Sequence, residues 1–311
     1  MSAEREALGT APAYVQPEAL MRLAGLKLRA RKVVEGVLSG LHRSPHKGSS
    51  VEFAEYKEYT LGDEIRHIDW KAYGKSDKYY VKQYEEETNL RAFILLDVSG
   101  SMGFAGKDIA KLEYGKILAI SLTYLLLRQA DAVGLLLFDE KPSVFIPPSN
   151  KSTHVDDLIL LLEGTSAGAL KTNIVAALSR IAEQVRQRSL VILISDMLQR
   201  DDQVGHLLKV LHSRGMDVLL FHLVDPHELD LPYEGLSLFE GFEGEEQLLV
   251  DPDDIRAAYQ QALDGFLAAL ERVCREANTD YHRVLTNTPL EEVLLEVLMG
   301  RLASSRARTR R

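Results

Sequence analysis

The sequence predicts an α/β protein with a doubly wound, mostly parallel sheet flanked by helices, and three observations lead there. Four apolar runs, at 92–96, 132–138, 190–194 and 217–223, lack the polar alternation of a half-exposed strand. Strands apolar on both faces belong to a parallel sheet covered by helices on each side. Segments with helical spacing at 111–130, 154–163, 174–187 and 203–214 lie between and beside them, which gives the β-α alternation of a doubly wound sheet. Finally, the runs at 92–96 and 190–194 lead into Asp97 and Asp196. The carboxyl ends of the strands are where such sheets hold their ligands.

Before this core, residues 1 to about 14 are small and polar and read as a frayed terminus. From Pro17 to about Leu41 the positions Leu20, Leu23, Leu26, Leu28, Val33, Val34 and Val37 recur every three to four residues among Arg and Lys, predicting a helix with a basic outer face. Gly40 to Ser50 reads as a loop. The stretch 51–91 is dense in aromatics and charges, and Lys78 to Tyr84 alternates like an exposed strand.

After Val224 comes a Gly- and Glu-rich, hairpin-like piece from Phe239 to Val250. A helix over 252–277 follows, opened by Asp251 as cap and Pro252 in its first turn. Tyr281 to Leu285 reads as one more strand, Pro289 to Leu302 as a last helix, and Arg306, Arg308, Arg310 and Arg311 as a basic tail. The expected organisation is an extension over 1–90 packed on the core, the core over 91–225, elements completing the fold over 226–303, and a disordered tail over 304–311.

Composition narrows the function. A hydrophobic share of 46% over 311 residues supports a buried core and argues against disorder. With 37 Lys+Arg against 46 Asp+Glu the net charge is −9, which disfavours a duplex-binding surface, since that needs clustered positive charge. The lone cysteine, Cys274, excludes an internal disulfide and a cysteine zinc cage, and reads as an inert helix residue. The first thirty residues lack a charged region followed by an apolar one, and the apolar stretch from Ile117 to Leu127 is too short to span a bilayer, so a cytoplasmic location is expected. The absence of a Gly-rich loop ending in Lys-Ser/Thr argues against ATP hydrolysis by this chain.

The chemistry gathers at Asp97-Val98-Ser99-Gly100-Ser101, an Asp-x-Ser-x-Ser pattern directly after an apolar strand. One carboxylate and two hydroxyls at alternating positions on a tight loop can face one point, with Gly100 letting other backbone come close. Oxygen-only donors suit Mg²⁺, with Mn²⁺ or Ca²⁺ as alternatives, and do not suit zinc. Thr172 stands just ahead of the helical pattern from Ile174 and could serve as its N-cap, as a ligand, or as both. Asp196 closes the strand of residues 190–194. The competing reading of the Asp97 loop is a turn whose Asp and Ser satisfy their own backbone.

These pieces resemble the von Willebrand factor A-like fold and its metal-ion-dependent adhesion site. The resemblance implies a cation held by Asp97, Ser99, Ser101, Thr172 and Asp196, with one position open for a partner's Asp or Glu. A second resemblance covers nearly the whole chain. Glu52-Phe53, the run from Tyr59 to Trp70, and Glu87-Thr88-Asn89 ahead of the Asp97 loop look like the family called domain of unknown function 58, with Lys57 where an Arg is expected. It implies a protein partner, a MoxR-type AAA+ ATPase, which the chain would serve as adaptor or co-chaperone.

The leading expectation is therefore a non-enzymatic, cation-dependent binding module. A Mg²⁺-dependent phosphoryl or ester hydrolase is the alternative enzyme, opposed by the want of a recognisable base or lysine beside the strand ends. A metal-free scaffold using residues 51–91 is the third reading. Ser99 has no histidine placed to act as its base. His42, His46 and His67 lack ligand spacing and read as surface residues. Arg66, Asp69 and Trp70 read as a packed structural knot.

Overall fold

The computed structural model describes residues 17–43, 56–58, 80–82, 90–107, 109–185, 188–199, 203–244 and 247–309. The expectations for residues 1–14, His46, His67, and the knot of Arg66, Asp69 and Trp70 lie outside the described residues. The chain separates into two compact units, Met1–Val37 with Leu90–Arg311, and Leu38–Asn89. In the smaller unit, β1 (Tyr56–Glu58) pairs antiparallel with β2 (Tyr80–Lys82), within the segment expected to hold an exposed strand.

The larger unit carries a six-stranded sheet of β3 (Arg91–Asp97), β4 (Ala132–Phe138), β5 (Pro142–Ser149), β6 (Ser189–Ser195), β7 (Met216–Val224) and β10 (Asp280–Leu285), while β8 (Ser237–Phe239) and β9 (Leu248–Val250) form a separate hairpin. The order across the sheet is β10-β7-β6-β3-β4-β5. All neighbours run parallel except β4 and β5. Strand β5 is an addition to the sequence reading, where Pro147 and Pro148 masked it. Proline is tolerated in a sheet at its edge, and β5 is an edge strand.

Side-chain parity explains why both faces are apolar. Phe93 and Leu95, Leu136 and Phe138, Val191 and Leu193, and Val218 and Leu220 form one core with α4 (Ile174–Gln184), α5 (Gln203–Ser213) and the far part of α7 (Pro252–Glu276). The alternate residues face α2 (Lys111–Arg128). A Cβ on Gly115 of α2 would lie 3.0 Å from Leu96 and 3.4 Å from both Ile194 and Leu223, so this glycine lets the helix settle directly on three strands. Helices on both faces of a mostly parallel sheet make the doubly wound fold.

The remaining elements complete the unit. Helix α1 (Pro17–Arg43) buries Leu26, Ala30, Val33 and Val37 at heptad spacing, and the backbone amide of Leu26 donates to Glu163 at the end of α3 (His154–Glu163). Leu28, counted on the apolar face from sequence, is exposed. A short α6 (Pro226–Asp230) follows β7, and β8 (Ser237–Phe239) pairs with β9 (Leu248–Val250) as the expected hairpin. Asp251 caps α7 by accepting from the Asp253 amide. The last helix, α8 (Leu290–Thr309), runs past Leu302, so residues 304–309 are helical where a disordered tail was expected. Cys274 is fully buried, and burial, then the Glu271 carboxylate, push its thiol up to about 12, in keeping with an inert side chain. Among the described residues no helix is long and apolar enough to cross a membrane.

Candidate metal centre

The parallel register decides what meets at the carboxyl edge. Leu96 of β3 pairs with Ile194 of β6, so Asp97 comes level with Ser195 and one residue short of Asp196. The Ser195 hydroxyl donates to Asp97 Oδ2 at 2.7 Å and itself accepts from the Met197 amide at 3.0 Å. Sequence reasoning missed Ser195; its signal was its place beside a strand-end aspartate in a parallel register.

Backbone hydrogen bonds then lay the segment ahead of α4 across the Asp97 loop. The Gly168 amide donates to Val98 O at 2.8 Å, the Gly100 amide to Leu170 O at 3.1 Å, and the Asn173 amide to Asp139 O at 2.8 Å. This brings the Thr172 hydroxyl to 2.7 Å from Asp97 Oδ2. Helix α4 is capped by the neighbouring Asn173, whose side chain accepts from the Ala176 amide. The helix thus does not need Thr172 as its cap. Within the loop, the Ser99 amide donates to Asp97 Oδ1 at 3.0 Å, and the hydroxyls of Ser99 and Ser101 stand 3.2 Å apart. Asp97, Ser99, Ser101 and Thr172 are therefore one cluster, each at most 8% exposed.

Asp196 is also buried, but its direct partners lie elsewhere. Its Oδ2 accepts from the Lys111 ammonium at 2.8 Å, and Oδ1 accepts from the Leu198 amide at 3.3 Å. Lys111 opens α2 and is fully buried; its second bond, 2.5 Å, goes to Glu228 of α6. Burial alone would lower the ammonium's pKa, yet the two carboxylates more than offset it and raise it. For Glu228 burial outweighs the ammonium, and its carboxyl is raised. The sequence reading held that no lysine stands by the strand ends. Lys111 corrects it, because the first turn of α2 points back at the sheet's edge.

Electrostatics favour a further positive charge here. Burial first, then the nearby Asp196 carboxylate, push Asp97 up to about 6, against hydrogen bonds from Ser195, Thr172 and Ser99 that pull it down. Two buried carboxylates in mutual repulsion, with hydroxyls gathered around one of them, are a donor set that fits a hard divalent cation. Among the described residues no three His, Cys, Asp or Glu side chains form a metal-holding group, so a cation here would rest partly on hydroxyl oxygens.

Around the cluster the surface turns apolar. Leu170, Leu198 and Phe242 are exposed by 49%, 54% and 49%. As expected of a glycine at this position, other backbone approaches Gly100 closely: a Cβ there would lie 2.4 Å from Phe242 O.

Residues 55–265 match the family model described as protein of unknown function DUF58. The chain is similar to uncharacterized protein Rv1480 of Mycobacterium tuberculosis and to uncharacterized protein Mb1516 of Mycobacterium bovis. Each is 24% identical over 239 residues, covering 72% of this chain and 74% of the relative. Among solved structures, conserved hypothetical protein BatB from Bacteroides thetaiotaomicron aligns with a TM-score of 0.47 at 17% identity, covering 68% of this chain and 98% of that one. An aerotolerance-related membrane protein from Bacteroides fragilis aligns at 0.46 and 20% identity, covering 66% and 94%. The SpRpn10 VWA domain aligns at 0.41 and 12% identity, covering 66% and 93%.

Proposed function

The chain belongs to the DUF58 family, and from that premise we propose that it is a non-enzymatic protein-binding module whose grip depends on a divalent cation, Mg²⁺ in the first instance. The observation that carries this reading is the convergence of Asp97, Ser99, Ser101 and Thr172 at the carboxyl edge of the sheet, with Ser99 and Ser101 Oγ 3.2 Å apart and Thr172 bonded to Asp97. Those four residues would hold the cation, with Asp196 balancing its charge or joining the shell. The bound ion supplies an electrophilic point that attracts a carboxylate. Leu170 and Leu198 then offer apolar surface to the residues flanking a partner's Asp or Glu.

The partner we propose is a MoxR-type AAA+ ATPase, with this chain as its adaptor, working in the cytoplasm. Hydrolase chemistry is the weaker reading. Lys111, at the strand ends, is fully buried and bonded to two carboxylates, and so has no free face for a substrate. Calorimetric titration of Mn²⁺ is expected to show one saturable site that Asp97→Ala abolishes. Pull-down of the ATPase is expected to fail both with chelator and with Asp97→Ala. Undiminished capture by the variant would overturn the proposal.

A further inference from the structure

The hairpin of β8 and β9 has one packed face and one bare face. Phe239 turns inward, its ring meeting Tyr233 edge-on with centroids 5.7 Å apart, and Tyr233 lies in turn against His227. The register sets Leu238 directly opposite Leu249, so these two share the other face. They are 54% and 61% exposed, and Leu236 beside them is 70% exposed. A two-stranded ribbon is marginal in water by itself, and contiguous leucines left in solvent mark a surface that another molecule covers. Charge says which kind. From Leu231 to Ile255 the sequence holds no Lys, Arg or His, while Glu234 and Glu240 flank β8 and Asp251 follows β9. Glu240 accepts only a neutral amide, that of Gln247 at 2.7 Å, which leaves its charge in place. Arg256, the next basic residue, turns its guanidinium to the carbonyls of Leu231 and Tyr233 and to Asp253, and so ties the lead-in of the hairpin to α7.

We infer that the outer face of this hairpin is a docking surface for a basic amphipathic segment of a protein partner. Its apolar residues cover Leu236, Leu238 and Leu249, and its Lys or Arg side chains meet Glu234, Glu240 and Asp251. Other occupants fit the surface poorly. An anionic membrane and a nucleic acid meet like charge there, and so does a second copy of a chain whose net charge is −9. None of the six residues belongs to the proposed cation site, so this surface works with or without the ion.

The full-length protein, in chelator, is titrated against a fluorescent peptide of about sixteen residues, helical, with leucine on one face and lysine on the other. Anisotropy is expected to show saturable binding that weakens as salt rises. Leu238→Ser combined with Leu249→Ser is expected to weaken it about tenfold, with an unchanged melting midpoint because both side chains already face water. Glu234→Gln combined with Glu240→Gln keeps the leucines, and is expected to weaken binding and flatten its salt dependence. Equal affinity in the serine variant would overturn the inference, since charge alone would then hold the peptide. Failure of the wild type to bind the peptide, or its binding to phosphatidylserine vesicles instead, would overturn it as well.

Discussion

The two halves of the carboxyl edge solve the same electrostatic problem differently. Around Asp97 the charge is met by neutral hydroxyls and an amide, from Thr172, Ser195 and Ser99. Around Asp196 it is met by a full ammonium, which Lys111 shares with Glu228. Neutral donors leave Asp97 with charge to spare, and burial holds its carboxyl above the usual range. An ammonium leaves Asp196 largely compensated. The Asp97 half would therefore gain most from the proposed cation, while at the Asp196 half the Lys111 ammonium already supplies the compensating charge.

The largest test of this contrast is Lys111→Met. It strands Asp196 and Glu228 without their cation, and removing one partner of a buried ion pair costs about 3–5 kcal/mol. Urea unfolding in chelator reads that loss, and added Mg²⁺ is expected to restore part of it. An unchanged midpoint would show that the ammonium contributes nothing to the Asp196 half.

Ser195→Ala strikes the other half. Asp97 loses a donor and the buried Met197 amide loses its acceptor, a penalty of about 1–3 kcal/mol. Mn²⁺ affinity changes little, because the proposed ligands remain. A total loss of Mn²⁺ binding would instead make Ser195 a ligand.

The finest test sets two adjacent residues against each other. Asn173→Ala removes the cap of α4 at a cost of about 1 kcal/mol with Mn²⁺ affinity unchanged. Thr172→Val keeps the cap and weakens Mn²⁺ binding. Calorimetry of the two variants together with their unfolding curves separates the roles; equal losses of Mn²⁺ affinity would merge them.

What was legible in the sequence follows the same division. Uninterrupted apolar runs revealed β3, β4, β6 and β7, since burial on both faces leaves no polar position to confuse the pattern. Helical spacing placed α3 at its observed bounds. The Asp97 loop and Thr172 were readable because local order and strand direction bring them to one edge. Lys111 was not: a lysine opening a helix ordinarily lies in water, and its partners stand 85 and 117 residues away. Strand β5 was lost because proline argues against a strand unless its edge position is already known.

That strand also limits how copies of this protein can associate. Pro142, Pro147 and Pro148 leave three of its eight residues without an amide hydrogen, and irregular pairing with β4 bends the margin further. A seventh strand would find too few donors to form a ladder there, so the sheet stops at β5 and this border is protected from fibril-like stacking.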